Sequence, residues 1–230
     1  MHNVLSQVIR DNGTMQRRNF LKGLAASMSL VAIKNSMGVC SEQTTPRIED
    51  TPDYLETLRR PDGGYGWPDQ LKSHLTPSYA VTGCYNLLEQ TPPDKSRLVQ
   101  FVRENHPFRI KKLERELKVF EFQQIQSLLW LGENAGSFRE QVRKWTKPSV
   151  YPKQYEQHGY PVLRIEVMAF LCRRLLGLAM DDISPEMIEY LDIRRRPNGS
   201  FNNTPSGDGS DGHVMNTWWA IQAMNTIGRS

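Results

Sequence analysis

From residue 51 onward, apolar residues fall in short runs at helical spacing, and Gly- and Pro-rich breaks separate the runs. Tyr54, Leu55 and Leu58 sit at i, i+1 and i+4, which predicts one shared helix face, and Pro61-Asp62-Gly63-Gly64 then interrupts the chain. Four apolar runs end in a similar way, at Leu-Leu-Glu89, Trp-Leu-Gly132, Leu-Leu-Gly177 and Thr-Ile-Gly228. Their last apolar residues, Leu88, Leu131, Leu176 and Ile227, lie 43, 45 and 51 residues apart. Glycine directly after an apolar helical run marks a helix end, because it enters the left-handed region at little steric cost. The spacing therefore predicts four helix-pair units. No segment shows the sustained alternation of a strand, so the expected class is all-α. A single helix pair cannot bury its apolar face, so the pairs are expected to stack on one another. Ser73 and Asp211 are the expected caps of helices opening near His74 and His213.

Two of the units repeat in sequence. Residues 54–66 read YLETLRRPDGGYG and residues 190–202 read YLDIRRRPNGSFN. A second matching block follows each, from His74 to Asn86 and from His213 to Asn225, with a connection three residues longer in the second copy. The basic runs Lys111-Lys112 and Arg194-Arg195-Arg196 read as solvated helix faces.

Charge and cysteine content narrow the functional classes. The formal charge is +4, but residues 1–38 carry five Lys/Arg and one acid, leaving 24 of each sign in the rest. A formally neutral body gives no electrostatic basis for nucleic-acid binding. Cys40, Cys84 and Cys172 make an odd count without a CxxC, so neither a disulfide framework nor a zinc finger is indicated. Near the N-terminus, Arg17-Arg18-Asn19-Phe20-Leu21-Lys22 precedes an apolar stretch from Gly23 to Ile33. The combination resembles a twin-arginine export signal, with Gln16 in place of the usual Ser or Thr. At 11 residues this stretch is too short for a stable membrane span. The expected organisation is a signal segment over 1–38, a linker over 39–50 and a repeat domain over 51–230, exported to the periplasm or another extracytoplasmic space.

The phrase Leu58-Arg-Arg-Pro-Asp-Gly-Gly-Tyr-Gly66, followed by a helix opening near His74, resembles the repeats of protein prenyltransferase β subunits and squalene/terpene cyclases. The resemblance implies an α/α toroid, with inner and outer helices around an aromatic-lined cavity, here an incomplete or irregular ring of about four units. It also implies where chemistry would sit. In the prenyltransferases a zinc is held by Asp and Cys of a D-G-C-Y segment and by a His of a later Y-H-T segment. Here Thr82-Gly83-Cys84-Tyr85 and Met215-Asn216-Thr217 stand at those places, so only Cys84 retains a ligand. The D-x-D-D acid of the cyclases is missing. The polar cluster nearest the expected cavity mouth is Asp208-Gly-Ser-Asp211-Gly-His213, whose Asp208, Asp211 and His213 are candidate acid–base or metal-binding groups. Trp67, His74, Tyr79, Trp218 and Trp219 are the candidate ligand-binding residues. The expected function is binding of an apolar small molecule or peptide by a degenerate site, with no cofactor. The alternative is an isoprenoid-processing transferase or cyclase built around Cys84 and Asp208–His213, with zinc as its cofactor.

Overall fold

A computed structural model describes residues 50–104, 114–149 and 162–229, with side chains from 118 onward in the second stretch. Residues Tyr54–Ser230 form one compact unit. The described residues hold eight α-helices and no strand, only isolated bridges pairing Arg59 with Tyr65, Tyr65 with His74 and Arg195 with Phe201. The helices are α1 (Thr51–Thr57), α2 (Leu75–Leu87), α3 (Lys95–Glu104), α4 (Glu114–Trp130), α5 (Arg139–Arg143), α6 (Val162–Leu175), α7 (Ser184–Asp192) and α8 (Val214–Ile227). Short 3-10 turns occupy Gly136–Phe138 and Ser206–Asp208.

Every second helix packs on the next. The broadest contacts run α2 to α4, α4 to α6 and α6 to α8, so these four form a continuous row. The intervening helices attach to that row: α3 to α2 and α4, α5 to α6, and α7 to α8. Sequence explains the division. α3 and α7 bury one narrow stripe each, Leu98, Phe101 and Val102 in the first and Met187, Tyr190 and Leu191 in the second, at the i, i+3, i+4 spacing of a one-sided helix. α6 lies in the middle of the row and is buried almost all round, including the polar residues Glu166 and Arg173.

The four units end identically. Gln90 N–H donates to Tyr85 O (3.0 Å), Glu133 to Leu128 (2.8 Å), Leu178 to Arg173 (3.0 Å) and Arg229 to Met224 (2.9 Å). Each is the six-to-one bond of a Schellman cap closing α2, α4, α6 and α8. The residue in the left-handed position is Gly132, Gly177 or Gly228 in three units and Glu89, at φ 58°, in the first. An L-residue there carries a cost of about 1–2 kcal/mol that glycine avoids.

The repeated turns are also the same structure. Arg60 N–H donates to Gly64 O (2.9 Å), and Arg196 N–H to Ser200 O (2.7 Å). His74 N–H donates to Tyr65 O (2.9 Å), and His213 N–H to Phe201 O (2.8 Å). Each turn is then locked to the following helix by a hydroxyl. Tyr65 N–H donates to Ser78 Oγ (2.9 Å), and Phe201 N–H to Thr217 Oγ1 (3.0 Å). α2 and α8 open directly after His74 and His213, at the predicted places.

Several sequence expectations need correction. Ser73 does not cap α2; its hydroxyl donates to Asp62. Asp211 does not cap α8; His213 does, accepting from Met215 N–H through Nδ1 (3.3 Å). Tyr54 does not share the buried face of Leu55 and Leu58, being 53% exposed. The Arg194–Arg196 run is no solvated face. Arg194 and Arg196 are buried and only Arg195 is exposed, because the guanidinium groups tie down the loop that follows. Arg194 donates to Tyr190 O (3.1 Å) and Asn203 O (2.9 Å). Lys111-Lys112, Cys40 and the twin-arginine segment lie outside the described residues.

Candidate functional site

The aromatic residues of α2, α4 and α8 meet in one file. Tyr79 of α2 stacks on Trp130 of α4, with centroids 5.1 Å apart and planes at 25°. Tyr79 also meets Phe122 at 6.1 Å. Phe122 abuts Trp219 of α8 edge-on at 5.8 Å, and Trp219 abuts Trp218 at 4.5 Å. These separations suit tilted and edge-to-face ring packing. The Phe122–Trp219 contact matters for shape, since α4 and α8 are not neighbours in the row and α6 lies between them. The row therefore bends enough for α4 and α8 side chains to touch. Gly83 of α2 leaves room for this arrangement, as a Cβ there would lie 3.1 Å from the Trp130 ring.

Of the expected ligand-binding residues, Tyr79, Trp218 and Trp219 belong to the file. Trp67 and His74 do not. Trp67 is 42% exposed in the turn before α2, where its carbonyl accepts from Arg60 (2.8 Å), and His74 is exposed at the helix start. Phe122 and Trp130 complete the file, and the sequence analysis did not single them out. Trp130 directly precedes the helix-ending Leu131-Gly132, and that position relative to the repeat was the available signal. Tyr79 is desolvated enough that burial raises its phenol pKa. An open groove of about 390 Å³ lies elsewhere, between the C-terminal ends of α4 and α6, and includes Leu129, Ala135, Arg139 and Leu176.

The polar candidates are not brought together. Hydrogen bonds from Thr204 and Ser210, with Arg196 at 3.1 Å, hold the Asp208 carboxyl down at about 2. Asp208 thus stays ionised and braces its loop. The Asp211 backbone carbonyl accepts from Asn202 (2.6 Å), and His213 caps α8. Among the described residues no hydrogen bond or ion pair joins Asp208 or Asp211 to His213.

The positions matching the zinc ligands are committed elsewhere. Thr82 Oγ1 donates to Ser78 O (2.7 Å), and Asn216 Nδ2 donates to Asn202 Oδ1 (3.2 Å). Cys84 is half-buried, and burial raises its thiol pKa, which disfavours the thiolate that zinc requires. These three residues do not fit a zinc ion. Among the described residues no group of three or more His, Cys, Asp or Glu is disposed to hold a metal.

A second polar cluster, also not singled out in the sequence, lies between α4, α5 and α6. Glu166 is fully buried and accepts from Lys118 Nζ (3.0 and 3.2 Å) and Trp145 Nε1 (2.9 Å). One turn along α4 from Lys118, Glu121 accepts from Gln141 Nε2. Burial raises the Glu121 carboxyl to about 7, against the opposing effects of Lys118 and Gln141. A folded-state pKa above the unfolded value means that the folded protein holds the proton more tightly. The stabilisation is complete below about pH 4.5 and is lost as pH rises to about 7. Glu121→Gln should flatten this slope and be about 1–2 kcal/mol more stable than the parent at pH 8, measured by urea denaturation across pH 5–8. Equal pH slopes for parent and variant would contradict the assignment.

No protein-family model, curated protein or solved structure matches the chain. No helix among the described residues is long and apolar enough to cross a membrane.

Proposed function

We propose that the chain is an α/α-toroid-like repeat protein that binds an apolar small molecule or peptide against the aromatic file of α2, α4 and α8. The observation that carries this reading is the file itself. Five rings from three helices converge where Phe122 meets Trp219 across the bend of the row. Aromatic surface of this kind offers a large apolar contact area, which suits a ligand held by shape and burial. The repeated turns and the alternation of row and attached helices are consistent with the resemblance to prenyltransferase β subunits and squalene/terpene cyclases. A binding role is preferred to catalysis because Thr82, Asn216 and Asp208 are each committed to the fold.

A 12-carbon alcohol, 1-dodecanol, is a suitable neutral probe, followed by tryptophan fluorescence. Saturable quenching is expected, weakened about tenfold or more by Tyr79→Ala and by Trp218→Ala, both half-buried residues whose truncation removes apolar contact. Linear, unsaturable quenching in the parent protein would refute the binding role.

Export through the twin-arginine route is the second part of the proposal and rests on Arg17-Arg18 and the apolar stretch after it. Replacing both arginines by Lys keeps the charge but removes the recognition element. The variant is expected to accumulate in the cytoplasm, by fractionation of expressing cells. Undiminished export would contradict this part alone.

A further inference from the structure

α2 and α8 are two copies of one helix of the repeat, and hydrogen bonds fix their register at both ends. His74 and His213 precede them, Ser78 and Thr217 lock them to the turn before, and Glu89 and Gly228 take the left-handed position after them. α2 shows what this helix covers when the next helix of the row is present. Three of its residues meet α4. Thr76 donates to Gln123 Oε1 (3.3 Å), Tyr79 stacks on Trp130, and Gly83 lies against the Trp130 ring. In the same register their counterparts in α8 are Met215, Trp218 and Gln222. Leu75 and Thr82 of α2 are 3% and 1% exposed, whereas their counterparts Val214 and Ile221 are 78% and 44% exposed.

Among the described residues α8 packs broadly on α6 and more narrowly on α7, and no further helix continues the row beyond it. Its buried residues, Asn216, Trp219, Ala220 and Ala223, share one side at i, i+3, i+4 and i+7. With 3.6 residues per turn, Val214, Met215, Trp218, Ile221 and Gln222 fall together within about a third of the circumference on the opposite side. Four of these five are apolar. The last helix of a stack ordinarily turns a polar face outward, and α8 does not. A helix that is apolar all round is built to be buried all round.

What the register asks for on this face is another row helix, and α8 is itself one. It has no charged side chain from Val214 to Ile227, so two copies of it meet without like-charge repulsion. The same lack leaves no charge on the helix by which a different, charged partner would be selected. The other end of the row is a poorer mate. The α2 counterparts of Trp219 and Ala223 are the half-buried Ala80 and Cys84, and none of the exposed large apolar residues belongs to α2. A head-to-tail contact would also leave free ends and continue, whereas like face on like face closes at two chains. We propose that the outer face of α8 pairs with the same face of a second copy across a two-fold axis, with Val214, Met215, Trp218 and Ile221 of the two chains packed together. Each copy then supplies the row helix that the other lacks. Trp218 joins this face to the aromatic file, but the pairing requires no ligand.

Sedimentation velocity of the full chain, without ligand and over a range of concentration, reads the assembly. One helix pair makes a small interface, so a reversible dimer with a dissociation constant on the order of 10 µM is expected. Met215→Lys combined with Ile221→Lys should weaken it at least about a hundredfold, because each copy then sets two charges against two like charges. Val214→Lys alters the most exposed position of the face, where the side chain touches little of its own chain, and should weaken the dimer at least about tenfold. It keeps the test decisive should the double variant lose its helical circular dichroism. Leu71→Lys changes an apolar residue that is 94% exposed ahead of α2 and should leave the dimer intact. A parent that stays monomeric up to about ten times that dissociation constant would overturn the proposal. So would species that grow past two chains with concentration, a dimer that Val214→Lys leaves unchanged, or one that Leu71→Lys disrupts equally.

Discussion

Glu166→Ala is expected to destabilise the protein by about 3–5 kcal/mol, the largest effect of any single side-chain truncation considered for this molecule. The reason is what the substitution leaves behind. Glu166 is fully buried, and its two oxygens receive Lys118 Nζ at 3.0 and 3.2 Å and Trp145 Nε1 at 2.9 Å. Without it, Lys118, only 22% exposed, keeps the Ser149 hydroxyl at 3.3 Å as its remaining partner here. The Trp145 indole N–H is stranded beside it. Arg173 holds the Trp145 carbonyl at 3.0 Å, so the disturbance passes to the chain between α5 and α6. Chemical denaturation measures the loss. A double variant, Glu166→Leu with Lys118→Met, should recover much of it, since an apolar pair of similar volume has no charge to desolvate. A loss below about 1 kcal/mol for Glu166→Ala would mean that the pair is solvated in solution.

Gly63→Ala and Gly199→Ala are expected to differ sharply although they occupy the same place in the two copies of the turn. Both glycines have positive φ, 89° and 82°. Both N–H groups bond the arginine carbonyl three residues back, at 3.0 and 2.9 Å. A Cβ at Gly63, however, would lie 2.8 Å from the Arg97 Cβ and 2.9 Å from its backbone carbonyl, so α3 itself stands in the way. Nothing lies within 4 Å at Gly199. Backbone strain alone predicts about 1 kcal/mol for Gly199→Ala, whereas strain plus overpacking predicts about 2–4 kcal/mol for Gly63→Ala. Equal costs would contradict the close approach of α3 to the first turn. The next position repeats the lesson, because Gly64 faces the Phe101 ring where the second copy has Ser200.

These pairs explain what the sequence made legible. The helix ends were readable because glycine in the left-handed position is a local requirement of the Schellman cap, independent of what packs around it. Gly132, Gly177 and Gly228 all sit there, and Glu89 was found only by spacing. The duplicated turn was readable because its hydrogen bonds join residues close in sequence. What escaped depends on contacts between distant residues. The Arg194–Arg196 run looked solvated because a string of charges ordinarily is. Here the carbonyls and carboxylate of residues 190–210 turn back onto two of the three guanidinium groups. Glu166 and Lys118 are 48 residues apart, and no local pattern joins them. Phe122 and Trp130 resembled ordinary core residues, and only the bend that brings α4 to α8 places them beside Tyr79 and Trp219. Asp208, Asp211 and His213 were grouped by sequence proximity, but a loop that directs each toward a different partner does not make a site of them.

The most direct test of the account is to locate the bound ligand. A 12-carbon alcohol bearing a photoreactive diazirine at its far end, cross-linked to the full chain at saturating concentration, should label Tyr79, Phe122, Trp130, Trp218 or Trp219, as read by peptide mass spectrometry. An excess of 1-dodecanol should suppress that labelling. Adducts confined to the groove of Leu129, Ala135, Arg139 and Leu176, or labelling that 1-dodecanol does not compete, would contradict the claim that the aromatic file is the binding surface.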